Sequence, residues 1–390
     1  MSPSDASPSD DTTWGLLLPG GQVDPDKLRQ AWLEAEDDER SVPIRFRLLK
    51  DVGTRLDRYI TQRLGFMSRT QVQRLIEGGD ATINHKPARA STKLRLGDLV
   101  ELHLPPPPSK EIRAEDIAID VLYEDEHLVV LDKQPGIIVH PARGELGGTL
   151  LNALAWHFEH RSSGTLSAVG QDKARPGVVH RLDRDTTGCI VFAKDEEAHW
   201  KLGAQFERRT VDKRYLALVH GRIEEPAGVI DLPLGPHPSR AKGYREKIVV
   251  RHDDLGKASV TICRVRERYR LHDQPVNRQH FTLAELELKT GRTHQIRVHL
   301  SHTGYPIVGD AMYEGRPFAS GGVELLVRQA LHATMLAFEH PITGAPMRFA
   351  APLPSDVSRV IASLRAHGQP ESLTPAGSTI DLDEAVGHPA

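Results

Sequence analysis

The densest group of side chains able to do chemistry lies in residues 178–194, VVHRLDRDTTGCIVFAK. Two apolar stretches there flank a polar loop holding His180, Arg181, Asp183, Arg184, Asp185, Thr186 and Thr187. A hydrophobic run that breaks into a charged loop and then resumes is one way a fold presents side chains to a cleft. Asp183 has one arginine two positions before it and another directly after, and nearby positive charge favours an ionised carboxylate. Such a group can serve as nucleophile, base or electrostatic stabiliser. A loop of ordinary surface ion pairs would use the same residue types, so the pattern alone leaves both readings open.

The order His180, Arg181, Asp183 invites comparison with a kinase catalytic loop. That reading fails, because no Asn follows at the required spacing, no glycine-rich phosphate loop precedes it and no Asp-Phe-Gly follows. A second cluster, TGRTHQIRVHLSHTGYPIVGD at 290–310, contains His294, His299 and His302. Spacings of five and three, without a nearby Cys or an HExxH pattern, match no strong zinc signature, so no metal is expected. A helix expected over 293–301 would put Gln295, Val298 and His302 on one side and Arg297, Leu300 and Ser301 on another. Its N-terminus follows a Thr-Gly turn and, with Arg292, is suited to meeting a phosphate.

These clusters need a scaffold. Strands are expected over 128–132, 137–140, 189–193, 215–219 and 282–288, and helices over 150–158 and 196–208, the latter with Asp195 as N-cap. Hairpin-like runs interrupt the helices, which favours α+β over a regular βαβ repeat. Tyr215, Ala217 and Val219 alternate with Leu216 and Leu218, so pattern alone makes Tyr215 an ordinary buried strand residue. Upstream, Leu56, Tyr59, Ile60 and Leu64 have amphipathic helical spacing. Ser68-Arg69-Thr70-Gln71 forms a capping box that opens a second helix through Ile76, stopped by Gly78-Gly79. Short strands are expected over 81–83 and 99–104, with a turn at 84–87.

The 390 residues, 39% hydrophobic, suffice for one large core and a smaller module. No apolar run is long enough to span a membrane, and no signal peptide is visible at residues 1–15. Two cysteines, Cys189 and Cys263, suit a reducing cytoplasm. The net charge of −3 is unevenly spread. Residues 1–40 hold ten acids against three Lys/Arg, and residues 370–390 hold four acids against none, leaving +8 in between. Residues 45–104 alone carry twelve Lys/Arg and six Asp/Glu, so Arg58, Arg69, Arg74 and Lys86 are candidates for backbone phosphates. The expected organisation is an acidic disordered extension at 1–43 with a short helix over 28–33 and a compact unit at 44–104. A Pro-rich linker at 105–115, a large domain at 116–367 and a disordered acidic tail at 368–390 complete it.

The unit at 44–104, running through DATINHKPARASTKLRLGDLVEL, resembles the alpha-L type RNA-binding module shared with a small-subunit ribosomal protein. HRLDRDTTGCIVFAK resembles the catalytic motif of the RluA-type pseudouridine synthases, and is closest to the RluD-like branch that modifies large-subunit ribosomal RNA. VVLDKQPGIIVHP, DKRYLALVHG, the 290–310 segment and LHATMLAFEHPITG match that family's other motifs in order, across roughly residues 50–365. One departure is Gln134, where the family usually has Pro after the Lys; a structural turn is the expected place of its effect.

The resemblance implies a mixed, mostly antiparallel central sheet with flanking helices. It also implies a site in which Asp183 attacks the nucleoside, Arg297 pairs with it and Tyr215 lies against the uracil as a candidate for proton transfer. Arg181 would fill the space left by the flipped base, while His180, Thr187, Leu331 and His332 would shape the cleft. Isomerising uridine breaks N1–C1′ and joins C5 to C1′ with nothing oxidised, so no cofactor is expected. The partner implied is RNA, ribosomal first and transfer RNA second, for a monomeric cytoplasmic enzyme. Two other readings are a ribosome-assembly or RNA-binding factor whose activity has lapsed, and a hydrolase using Asp183 with Asp185. The intact Asp183, Tyr215 and Arg297 set argues against the first, and a two-residue separation within one loop argues against the second.

Overall fold

The computed structural model describes residues 16–34, 42–104, 112–141, 147–169, 175–238, 247–272, 274–320 and 323–386. The chain divides into two compact units, with the boundary between residues 109 and 110.

In the first unit α1 (Pro25–Glu34) precedes β1 (Val42–Arg47), and α2 (Leu56–Arg63) and α3 (Arg69–Glu77) lead to β2 (Ala81–Ile83), β3 (Lys86–Pro87) and β4 (Leu99–Leu104). The strands form an antiparallel sheet in the order β1-β4-β2-β3. Leu56, Tyr59, Ile60 and Leu64 are all buried, as their spacing requires. The capping box forms: the Gln71 N–H donates to Ser68 Oγ, and the Ser68 N–H donates to Gln71 Oε1 at 2.8 Å.

A buried carboxylate ties α2 to α3. Asp57 accepts from Arg55 Nε at 3.1 Å, from Arg69 Nη2 at 2.8 Å and from Gln73 Nε2 at 3.0 Å. Burial pushes its pKa up, but the bonds from Arg55, Arg69 and Gln73 outweigh that and hold the carboxyl well below the usual range.

The second unit is built on one ten-stranded sheet. In chain order it contains β5 (Asp120–Glu124), β6 (Leu128–Lys133), α4 (Leu150–His160), β7 (Thr187–Ala193), α5 (Glu196–Arg208), β8 (Asp212–His220), β9 (Ala227–Asp231), β10 (Leu234–Pro236), β11 (Ile248–Val250) and β12 (Val260–Arg270). There follow β13 (His280–Leu288), α6 (Gln295–His302), β14 (Phe318–Ser320), β15 (Val323–Leu326), β16 (Leu331–Glu339), β17 (Pro346–Ala350), α7 (Ser355–His367), β18 (Glu371–Ser372) and α8 (Leu382–Val386). The sheet runs β18-β12-β13-β8-β16-β7-β6-β5, with β17 on β16 and β9 on β12. Among the described residues β16 and β7 form its one parallel pair, so the sheet is mixed but mostly antiparallel, in an α+β fold.

Alternation along the strands feeds both faces. Val129, Leu131, Ile190 and Phe192 pack with Leu150, Leu151, Leu154 and Phe158 of α4. Their neighbours Leu128, Val130, Cys189 and Val191 pack with Ala198 and Leu202 of α5 on the other face. Helix α5 spans the expected residues, and Asp195 Oδ1 accepts from the Ala198 N–H at 2.8 Å.

Three sequence expectations are corrected. Residues 137–140 make no strand: the Pro135-Gly136 turn, with Gly136 at φ 82°, leaves a single bridge from Ile138 to Thr149. The carbonyls of Ile138 and Val139 instead accept from the N–H groups of Leu150 and Leu151, serving the start of α4. The acidic tail is not disordered through residue 386. β18 pairs with β12, and Ile380, Ala385 and Val386 are buried. The carbonyls of Ala376 and Ile380 accept from the buried guanidinium groups of Arg264 and Arg266. The acidic composition hid these contacts because the partners lie about a hundred residues away. Residues 16–34 also pack, through Leu16, Val23 and Leu28, and α1 is three residues longer at its start than the helix expected there. Residues 1–15 and 35–41 of the expected acidic extension, residues 105–111 of the Pro-rich linker and residues 387–390 of the tail lie outside the described residues.

Because the carboxylate of Asp57 is depressed in the folded chain, its contribution is complete above about pH 4 and declines as pH falls below that. Asp57→Ala is expected to remove about 2 kcal/mol of local stability. Amide hydrogen exchange over residues 56–77 should then accelerate by roughly 30-fold, and unchanged exchange there would refute the linking role.

Candidate active site

The Asp183 loop is held by its own backbone, by the buried Lys133 and by the partly buried Arg328. Ahead of it Val178 bridges Phe192 and the Ala193 N–H donates to Gly177 O, so the chain leaves β7's partner position and folds across. A turn closes when the Thr186 N–H donates to Asp183 O at 3.2 Å. Fully buried Lys133 donates to the carbonyls of Gln134, Arg184 and Thr186 at 2.9, 2.7 and 2.9 Å. Burial pulls this ammonium down to about 7, while Asp185 and Asp183 pull the other way. Three N–H groups facing three carbonyls suit the charged form. Arg328 Nη1 donates to Asp185 O at 3.0 Å, and its Nε and Nη2 grip Asp356 at the start of α7. The departing residue Gln134 ties back to Ala118 O through Nε2 at 2.7 Å.

Arg297 stands on α6. A buried Gln295 fixes the turn before it, accepting from Thr290 Oγ1 and the Arg292 N–H and donating to Val260 O and Thr261 Oγ1. Arg297 Nε and Nη2 donate to the two oxygens of Asp310 at 2.6 and 2.8 Å, and Nη1 donates to Asp183 Oδ2 at 3.1 Å. Burial disfavours the cation, but Asp310 and Asp183 more than restore it and push the pKa up. The Tyr313 ring lies 4.9 Å below the guanidinium carbon.

Asp183 and Arg297 share a cavity of about 460 Å³ with His180, Arg181, Thr186, Tyr215, Arg292, His294 and Leu331. Six Lys/Arg side chains line it against two carboxylates, Asp183 and Glu207, which favours a polyanionic ligand. Tyr215 comes from β8, and burial, with the charges of Asp183 and Cys189, pushes its phenol well above the usual range. It therefore keeps its proton at neutral pH. His180 stacks on Phe206 at 4.5 Å, and its Nε2 accepts from the Val191 N–H at 3.0 Å. Desolvation, with the Lys213 charge, pulls it down to about 3, so the ring is neutral. Arg181 is exposed and makes no hydrogen bond among the described residues.

Thr187 and His332 do not line the cavity. Both are buried where β7 meets β16, with Thr187 Oγ1 2.8 Å from His332 Nδ1 and His332 Nε2 3.0 Å from Ala351 O. The motif placed them near the site, and strand alternation turned them away from it. The three histidines of the second cluster also part company. His294 faces the cavity, His299 is buried against Thr261 and Leu232, and His302 is exposed. Among the basic candidates of the first unit Arg58, Arg69, Arg74 and Lys86 are exposed, but Arg69 is tied to Asp57. Sequence reasoning missed Lys133, Asp310, Tyr313 and Arg328. The first two lay inside quoted motifs without an assigned role.

Gly188 is required where the loop returns to the sheet. It sits at φ 106°, and a Cβ there would lie 2.3 Å from Ala333 O of β16. Gly188→Ala must force β7 and β16 apart and should cost about 3 kcal/mol. A thermal midpoint lowered by less than about one degree would refute this.

A family model for RNA pseudouridylate synthase matches residues 127–302, and a model for the S4 domain matches residues 54–100. The chain is 40% identical over 314 residues to an uncharacterized RNA pseudouridine synthase of Bacillus subtilis, covering 80% of this chain and 95% of that protein. It is 40% identical over 321 residues to the ribosomal large subunit pseudouridine synthase D of Pseudomonas aeruginosa, covering 80% and 92%. Among solved structures, human RNA pseudouridylate synthase domain containing 1 matches with a TM-score of 0.48 at 24% identity, covering 68% of this chain and 93% of that one. On the extent of the sequence matches, the chain belongs to the RNA pseudouridine synthases and carries an S4 domain.

Proposed function

We propose that this RNA pseudouridine synthase acts on large-subunit ribosomal RNA, with Asp183 as the carboxylate that works on the target uridine. The observation that carries the role is the 3.1 Å contact of Asp183 Oδ2 with a buried, permanently charged Arg297 on a cavity wall. The choice of RNA is supported by relatives named for the ribosomal large subunit at 40% and 39% identity. The reaction breaks N1–C1′, joins C5 to C1′ and moves one proton from C5 to N1. Arg297 aims Asp183 and sets a positive charge beside it, whether the carboxylate adds to the sugar, adds to the base or removes a sugar proton.

Tyr215 supplies a flat face for uracil, worth about 1–3 kcal/mol of stacking. Its retained phenol proton favours this role over that of a resting base. Arg181, at the rim, takes the place of the extruded base and offsets part of the few kcal/mol that extrusion costs. His180 and Leu331 shape the wall, and Arg292 meets a phosphate beside the target. Arg58, Arg74 and Lys86 of the S4 domain bind backbone phosphates; Arg69 contributes less because Asp57 engages it. Two buried free thiols, Cys189 and Cys263, suit the cytoplasm.

Asp183→Asn should lose uridine isomerisation, read as tritium release from 5-³H-uridine RNA, while RNA affinity stays within about twofold. Wild-type turnover in that variant would overturn the assignment. In a deletion strain, pseudouridines should vanish from large-subunit ribosomal RNA; their loss from transfer RNA alone would redirect the substrate. RNA affinity should fall steeply with salt, with a log–log slope of about −0.7 to −0.9 per phosphate contacted. A Lys86→Ala, Arg74→Ala variant that keeps the wild-type slope would remove the S4 contacts from the scheme.

A further inference from the structure

His294 is a cavity residue that the roles above do not use. It sits at φ 55°, ψ 20°, a left-handed conformation that non-glycine residues rarely hold, directly before α6. Its side chain does not cap that helix. The imidazole turns into the cavity instead, where Nε2 lies 3.8 Å from Asp183 Oδ1 and Nδ1 lies 2.7 Å from the Tyr313 hydroxyl. Backbone strain of this kind costs roughly 1–3 kcal/mol and persists where the surroundings overdetermine it.

The surroundings also select the tautomer. Tyr313 Oη accepts from the Ile248 N–H at 3.1 Å, which leaves the hydroxyl proton to point at His294 Nδ1. If Nδ1 carried the proton, the lone pair of Nε2 would face the Asp183 carboxylate. The opposite tautomer puts Nε2–H there and is favoured by the charge. Burial lowers the imidazole pKa, with Asp183 and Asp310 opposing and Arg297 and Arg181 adding to the fall, so the ring is neutral near pH 7. A neutral donor leaves the charge balance between Asp183 and Arg297 as it stands.

We propose that His294 is a positioning residue for the isomerisation: oriented by Tyr313, it presents Nε2–H to Asp183 Oδ1 and holds the second carboxylate oxygen while Arg297 holds the first. The inference rests on the reading of Asp183 as the working carboxylate. At 3.8 Å the contact is open, about 0.6 Å beyond a hydrogen bond. Such bonds are often long in the free enzyme and tighten once substrate fills the site. With both oxygens held, the carboxylate has one orientation toward the nucleoside instead of a rotating pair.

The test is single-turnover isomerisation together with RNA affinity, in the full chain. His294→Ala is expected to slow turnover by roughly 30-fold with the RNA Kd within about twofold, because the group acts on Asp183 and not on binding. His294→Gln, whose amide N–H can reach the position of Nε2–H, should recover to within about fivefold of wild type. Tyr313→Phe keeps the ring under Arg297 but frees the imidazole, and should slow turnover about fivefold. Combined with His294→Ala it should add nothing, since both changes break one relay. Additive losses in the double variant, or wild-type turnover in His294→Ala, would overturn the proposal. If the alanine variant does not fold, wild-type turnover in Tyr313→Phe overturns it alone. Turnover retained by Asp183→Asn would instead strike the underlying reading, so the two failures are distinguishable.

Discussion

One buried guanidinium organises the site. Arg297 gives two N–H groups to Asp310 and one to Asp183, so a single planar cation fixes two carboxylates from segments more than a hundred residues apart. Taking three charges out of water is expensive, and such clusters are weak evidence for stability. What the cluster supplies is geometry. Asp310 takes two of the five guanidinium N–H groups and fixes the plane of the fork, which leaves Nη1 aimed at Asp183. Gly309 serves the same end: at φ 78°, with Arg328 O 2.0 Å from where a Cβ would be, it lets the Asp310 turn press against the chain that carries Arg328.

The other half of the site is a backbone problem. A loop crossing the end of a sheet leaves carbonyls without strand partners, and buried carbonyls need donors. Lys133 and Arg328 supply them for residues 184, 185 and 186, the turn immediately after Asp183. The loop is thus held from below by side chains that never enter the cavity, and Asp183 inherits its position from them. Gly188 then lets β7 return to the sheet against β16 at the single parallel junction among the described strands. Rigidity here comes from satisfied polar groups, which is how a loop can carry a precisely aimed carboxylate.

Local pattern was enough for what local physics decides. Helical spacing located the helices of the S4 domain, the Ser68–Gln71 box located the start of one of them, and the Asp183 loop stood out because its charges interrupt apolar runs. The α+β class followed from hairpins between helices. What pattern missed depends on partners distant in sequence. The RluA-like motifs paired Arg297 with Asp183, but its stronger partner is Asp310. Residues 371–386 read as a polar tail, yet their carbonyls satisfy buried arginines of β12. Thr187 and His332 belong to the family motif but sit under the site, where strand alternation turns them inward. Motif membership reports that a residue matters and leaves open which side of a sheet it occupies.

Two buried cations flank the same carboxylate, and their difference explains why arginine stands at position 297. Burial draws Lys133 down to about 7 even with Asp185 and Asp183 nearby, so its charge depends on three carbonyls and on pH. A lysine at 297 would meet comparable desolvation while offering a point charge that cannot grip Asp310 through two bonds and still reach Asp183. The guanidinium stays charged when buried, and its planar fork has enough N–H groups for both acids. An arginine at 297 therefore gives Asp183 and Asp310 a shared partner whose own charge does not titrate away. Lys133 holds backbone through three carbonyls, whereas Arg297 holds two carboxylates at once, which takes a permanent charge on a planar fork.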